Sequence, residues 1–554
     1  MFLTLKQQMK YIVPMIIAAG AFLPTAYSKT IYCPTCSQSD FENAYYVQSV
    51  PGDTIILPAG SATWGNSSRP NNGTIYLITS VTVQGQGDST VITMDDTGKT
   101  YASGVIALWA PVTFKDMKFI GASVGHPVTV FDMEDYSNPA TGLQMRGGFR
   151  LTNITYEGHS DGYFANIGAW VDNGVIDNCR ISCDVSYAEL IFMRGRTDAW
   201  QLPNTIGGPD NVFVEDCTFN DTGYVCDANA NARLVVRYNT INGNSKVDGH
   251  GVATNTPPRS FRNMEVYGNH WTNNSQAWTA IEIRGGTSMV FNNISDNTYG
   301  AGGAWFMLTD YAYQGLYGNF GTYITNVSAG NPTTITTSGP HGLGNGWNVL
   351  VGCPYSTPTL NVASYATVTS PTTFTIPVNV TSGAQNSGMV LRYLTPFDYP
   401  IPDQVGVGMD PRVAASEPAY VWNNLKQGAA WTRNFWNVGQ GAVPLYQAQT
   451  GNPNATFGES DVIQSNRDFF ADAGFATNTG VSIGTTAQMS ALKPSIVGYG
   501  FWVTDQGKWN SRTTGPDGQF YVWNGKSWTL KYTPYPYPHP ARRPAAPAAQ
   551  ILNK

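Results

Sequence analysis

Val212-Phe-Val-Glu-Asp216-Cys-Thr-Phe219, Leu234-Val-Val-Arg-Tyr-Asn239-Thr-Ile241, Met264-Glu-Val-Tyr-Gly-Asn269-His-Trp271 and Met289-Val-Phe-Asn-Asn293-Ile share one pattern: a short apolar stretch, a turn-forming residue, then another apolar stretch. Upstream, the same pattern centres on Asp116, Asn153 and Asn178, so the spacings along the series are 37, 25, 38, 23, 30 and 24. A unit near 24 residues is too short for a βαβ crossover of ~30 residues. It suits one rung of a parallel β-helix, whose strands stack on their copies in the next rung. Asn and Asp at the bends tolerate the left-handed backbone that a sharp corner needs, and their side chains can bond up and down the stack. Sandwiches and propellers call for hairpin spacing or a 40-odd-residue blade, which this series lacks.

Composition agrees with an all-β chain. Of 554 residues only 12% are charged, while 58 Gly and 34 Pro fill turns. A helical bundle is thereby disfavoured. The formal charge is 31 − 37 = −6 and no Lys/Arg run precedes Arg542-Arg543, so a nucleic-acid partner is not expected. Lys6 and Lys10, the apolar run Tyr11 to Leu23 and the small-x-small site Ala26-Tyr27-Ser28 read as an export signal over 1–28. The run is too short to span a bilayer, and no membrane span is expected in the mature chain. Its localisation is therefore read as secreted, extracellular, with the cell surface or periplasm as variants. Seven cysteines follow, of which Cys33-Pro-Thr-Cys36 is read as a bridge or terminal clasp, and Cys179 with Cys217 as one inward column of stacked core thiols or a bridge.

Cys36-Ser-Gln-Ser-Asp40-Phe followed by Pro51-Gly-Asp-Thr-Ile-Ile-Leu-Pro58-Ala-Gly60 and Trp64, with Asp248-Gly-His250-Gly and Arg284-Gly-Gly-Thr, resembles secreted proteins of the pectate-lyase-like superfamily. The resemblance implies a right-handed parallel β-helix over 29–321, resumed in a C-terminal part over 393–540. Between them, residues 322–392 turn Thr/Val/Pro/Gly-rich. The stretches Ile335-Thr-Thr-Ser-Gly-Pro-His341-Gly-Leu343 and Thr372-Thr-Phe374-Thr-Ile376-Pro-Val378-Asn-Val380 resemble a small β-barrel-like module of phage and viral tail proteins. That segment is read as an inserted domain, and 541–554 as a disordered tail.

In such a solenoid, ionisable residues one rung apart meet on an outer face. A uronate lyase needs a base for the C5 proton and a cation, Ca²⁺ or Arg/Lys, for the neighbouring carboxylate; a glycosidase needs two carboxyl groups. Arg194, Arg196, Asp227, Asp248, His250, Glu282 and Arg284 recur at rung-like intervals. The catalytic set is therefore His250, Asp248, Arg284 and Arg194, and the substrate-binding set is Arg196, Trp200, Trp271 and Trp278. Asp248 and His250 share a face of an extended strand, though a buried hydrogen-bonded pair fits them equally. His250-Gly251 and Arg284 resemble polygalacturonase elements, but Gly286 stands where those enzymes carry Lys. No cofactor is fixed by sequence, and Ca²⁺ is the one this chemistry admits. Expected is an extracellular polysaccharide partner with cleavage by lyase or hydrolase chemistry, or else a non-catalytic adhesin, appendage or tail-spike-like protein. The oligomeric state stays open.

Overall fold

A computed structural model describes residues 28–542, except 96–103, 122–128, 134–147, 252–259, 309–321, 393–404, 409–416, 427–462, 473–479 and shorter stretches of one to four residues. The expected export signal, apart from Ser28, and the tail beyond Arg542 lie outside the described residues. Among the described residues no helix is long and apolar enough to cross a membrane.

The chain folds as a right-handed parallel β-helix with three strand ladders. The first runs from Thr30–Tyr32 to Phe469–Ala471, the second from Gly60–Trp64 to Leu425–Lys426, and the third from Ile75–Leu77 to Ala304–Leu308. The long strands Thr113–Ile120 and Arg150–Gly158 pass from the first ladder to the second without a break, so these two ladders form one sheet. Alternation decides which side chains enter the core. On the first ladder one inward column begins Ile31, Ile55, Val83, Phe114 and continues to Val290, Val421 and Ala471. These side chains lie in one apolar core, and each buried aliphatic of this size contributes about 1.5–3 kcal/mol.

The corner between the first and second ladders explains the sequence repeat, with one correction of register. Left-handed backbone occurs at Asp116, Asn153, Asn178, Asp216, Tyr238, Gly268, Asn292 and Asn423. In the later rungs the corner is thus one residue before Asn239, Asn269 and Asn293, which instead turn inward. Asn239 Nδ2 donates to Asn269 Oδ1 at 2.9 Å, Asn269 to Asn293 at 3.0 Å and Asn293 to Asn424 at 2.8 Å. Each Oδ1 also accepts the backbone N–H of the rung before, so every amide in the stack is satisfied. The stack continues as Cys217, whose N–H donates to Asn239, and Cys179; both thiols are buried, as the inward column requires. The expected bridge is absent: Cys33 and Cys36 are separate buried thiols, and burial pushes Cys33 up to about 11.

Residues 322–392 form an eight-stranded antiparallel sheet system with its own core of Ile324, Ile335, Val349, Val351, Phe374 and Ile376. The segment expected to complete the β-helix divides. Ala419–Trp422, Leu425–Lys426 and Phe469–Ala471 continue the ladders, but Val481–Gly484, Gly500–Val503, Gln519–Trp523 and Trp528–Tyr532 form a separate four-stranded sheet. That sheet and the segment 533–542, which ends in a 3-10 turn at Pro540–Arg542, cover the outer face of the first ladder. There the register places Asp177, Glu215, Arg237, Tyr267, Phe291 and Trp422 in one outward column. Phe291 stacks on Trp422 at 4.4 Å, and Trp502, Trp509, Phe520 and Tyr532 complete the aromatic layer. Ala541 and Arg542, assigned to the tail by composition, belong to this cover: Arg542 bridges Asp177, Glu215 and Asp216.

Glu265 sits inside this junction, accepting from Tyr532 Oη at 2.5 Å and from Gly207 N–H at 2.8 Å. Burial pushes its carboxyl up to about 7. The native state therefore holds a proton that the unfolded chain releases above its ordinary value of 4.5. Stability contributed by Glu265 is then present at low pH and is lost as pH rises through 7, on the order of 3 kcal/mol in full. Melting temperature should fall from about pH 5 to about pH 8 more steeply in the parent protein than in Glu265→Gln. Parallel pH profiles for the two would contradict this.

Candidate active site

The third ladder carries the ionisable residues. Its register aligns Tyr76, Ala107, Asp132, Asn166, Phe192, Asp227, Asp248, Glu282 and Met307, one per rung. Strand Lys246–Gly249 turns Val247 into the core, which leaves Lys246 and Asp248 on the outer face. Strand Thr279–Ile283 buries Ile281 and Ile283 in the core and presents Glu282, followed at the same phase by Arg284. In strand Tyr224–Ala228 a register shift between Tyr224 and Cys226 keeps Asp227 in phase with Asp248. Gly249 is fixed by packing, because a Cβ there would lie 2.6 Å from the Phe261 ring. Gly286 has φ +55 and would press a Cβ to 2.5 Å from Phe261 O, so a lysine of the polygalacturonase kind has no room at this turn.

These strands bring Asp248, His250 and Arg284 together as expected from the sequence, but with different partners. His250 Nδ1 lies 3.1 Å from Asp227 Oδ1 and 3.8 Å from Asp248 Oδ2, so its principal carboxylate comes from the preceding rung. Arg284 donates to Asp248 at 3.0 Å and, from two nitrogens, to Glu282 at 2.6 and 2.7 Å. Lys246, absent from the expected set, joins Glu282 at 2.8 Å and Asp248 at 3.2 Å, with its ammonium 4.3 Å from the Tyr224 ring centroid. Asp227, Asp248, Lys246, Glu282 and Arg284 are all buried, whereas the His250 side chain is 20% exposed.

Burial sets the electrostatics. It lowers the basicity of His250, but the Asp227 carboxylate raises it by more, so the imidazole titrates above its ordinary value. Burial opposes ionisation of Glu282, yet Arg284 and Lys246 hold it down at about 2. Glu189 moves the other way: burial, then the charge of Asp227, push it up to about 7. Glu189 is half-buried one rung before Tyr224. No sequence signal singles it out, whereas Lys246 follows from alternation on Lys246-Val-Asp248.

Arg194 lies at the end of strand Ile191–Met193, half-buried, its guanidinium 4.9 Å from the Phe192 ring centroid. Continuing the register by one residue places it two rungs from His250, roughly 10 Å between backbones. Arg284, by contrast, is engaged with two buried carboxylates and serves to position Asp248. Trp271 is corrected: alternation on His270–Thr272 turns it into the core beside Trp305, fully buried, with its indole donating to Ser245 O, so it cannot meet a sugar. Arg196, Trp200 and Trp278 lie outside the described residues.

Asp227, Asp248 and His250 offer donor atoms within 4.8 Å of one another, and among the described residues Asp227 Oδ2 and Asp248 Oδ1 accept no hydrogen bond. Ca²⁺ takes six to eight oxygen ligands. Two carboxylates and an imidazole, with Lys246 and Arg284 already on Asp248, do not fit it among the described residues. The positive charge here comes from side chains.

No protein-family model matches the chain, and no curated protein matches it. Among solved structures, a PL6 family alginate lyase, AlyGC, aligns over 52% of this chain and 40% of its own, with 14% identity and a TM-score of 0.32. An alginate lyase from Paenibacillus sp. str. FPU-7 aligns over 51% of this chain and 98% of its own (15%, TM-score 0.29). Geobacillus virus E2 ORF18 aligns over 64% and 72% (11%, TM-score 0.26). Overlaps this partial carry no functional weight; the chemistry of the site rests on its side chains.

Proposed function

We propose that the chain is an exported polysaccharide lyase that cleaves a uronate-bearing glycan on the outer face of the third ladder. The observation that carries this reading is the Asp227–His250 pair: an imidazole held at 3.1 Å by a buried carboxylate, at the solvent edge of an otherwise buried charged cluster. A carboxylate on Nδ1 orients the ring and leaves Nε2 as the basic nitrogen. His250 takes the C5 proton. The C5–H electron pair forms the C4=C5 bond as the C4–O bond breaks. Arg194 neutralises the uronate carboxylate, whose charge grows as C5 is deprotonated. Glu189, raised to about 7 and so partly protonated at pH 7, gives its proton to the departing glycosidic oxygen.

Lys246, Glu282, Arg284 and Asp248 act indirectly. Their mutual pairing compensates the buried charges and fixes the rung on which His250 sits. The proposal is tested by incubating the protein with pectin, alginate, hyaluronan and a neutral glycan. Expected are ultraviolet-absorbing unsaturated ends from at least one acidic chain and none from the neutral one. New reducing ends without that absorbance would establish hydrolysis instead, and binding without cleavage of any would favour an adhesin or spike.

A further inference from the structure

The outward column of the third ladder does not stop at the charged cluster. Towards its first rungs it passes Phe192, stacked on the half-buried Tyr163 at 5.1 Å, then Asn166 and Asp132, and ends on aromatic rings. Trp109 lies two residues beyond Ala107 on the same face, its backbone N–H donating to Leu77 O. Its ring is 4.9 Å from that of Tyr76, and both are half-buried. Ala107, the register partner of Tyr76 on the rung that carries Trp109, has almost no side chain. Tyr46, 51% exposed, closes the edge by accepting from Tyr76 N–H at 3.0 Å and donating to Tyr76 O at 3.2 Å.

We propose that Tyr76 and Trp109 form a sugar-stacking subsite of the same groove, so that the glycan lies along the solenoid axis and is engaged as a polymer. This rests on the uronate-lyase reading of the cluster. Five rungs separate Ala107 from Asp248 in register, about 24 Å at the spacing of stacked strands. One strand spacing is close to the length of one pyranose in an extended chain. About five sugars therefore fit between Trp109 and His250. An amphipathic ring that stays half-exposed on a rigid strand can cover the apolar face of a sugar with little loss of side-chain freedom. Along the intervening rungs Asp132 and Asn166 are buried and bonded to each other at 3.3 Å, so the half-buried Arg194 and Tyr163 supply the polar partners there.

The test is the ratio of kcat/KM for a long oligouronate of about eight units to that for one of about three. Trp109→Ala should lower this ratio about tenfold, and Trp109→Phe should restore most of it, since a ring suffices. An unchanged ratio in correctly folded Trp109→Ala and Tyr76→Ala would overturn the subsite. If the parent protein cleaves no polyuronate, the catalytic reading fails by itself. Retardation on gels containing the acidic polymer then decides the platform: loss of retardation in Trp109→Ala upholds it, and equal retardation of parent and variant removes it.

Discussion

Replacing Glu215 by alanine should destabilise the protein by about 3–5 kcal/mol, the cost of leaving a buried cation without its partner. Glu215 and Arg237 are both fully buried and meet at 2.6 Å across adjacent rungs. The same carboxylate receives His539 N–H at 2.9 Å and Arg542 at 2.7 Å. Arg237 in turn donates to Tyr267 Oη, Tyr535 O and Pro536 O. One substitution thus strips the junction between the first ladder and the C-terminal cover of its central acceptor. The double variant Glu215→Met, Arg237→Met should cost less than Glu215→Ala alone, because it removes both charges instead of stranding one. Urea unfolding monitored by tryptophan fluorescence checks both. A single variant within about 0.5 kcal/mol of the parent would show that the pair does not hold the cover.

The second large effect is kinetic. His250→Ala should lower turnover by ~10² or more, the range for removing a positioned base. Because this strands Asp227, whose Oδ1 loses its partner, His250→Gln is the better-behaved variant: it keeps a hydrogen-bond donor but no base. It should be equally slow and close to parental stability. Asp227→Asn removes the charge that raises the imidazole. The acid limb of kcat/KM, set by deprotonation of His250, should then move to lower pH, a shift that a merely structural loss would not produce. Retained turnover in His250→Gln would exclude the imidazole as base.

The fold is legible in the sequence because corner and strand residues repeat locally: Asp116, Asn153, Asn178 and Asp216 adopt the left-handed turn that their side chains tolerate. Beyond Asp216 the same reading is one residue out. Asn239 advertises a turn, but Tyr238 makes it, its ring packed at a tilt against Tyr537 at 4.1 Å, a contact across the C-terminal cover that no local pattern contains. The cover itself is illegible for the same reason, since its key bonds join residues about 300 apart, such as Arg237 and Tyr535.

At the site, rung spacing gathers Asp248, His250 and Arg284, but spacing gives the neighbourhood and not the pairing. A register shift at Tyr224 is needed to set Asp227 against His250. Trp271 is misplaced when aromatic content is weighed without strand phase. Phase on His270–Thr272 points it inward, just as phase on Ile106–Leu108 points Ala107 and, two residues on, Trp109 outward.

The most direct measurement is a crystal structure of His250→Gln with a bound uronate oligosaccharide. The chain should lie along the column from Tyr76 to Glu282, with one C5 facing the side chain at position 250 and its carboxylate on Arg194. An oligosaccharide seated on the antiparallel module of residues 322–392 or on the C-terminal sheet, with the third ladder bare, would contradict the account.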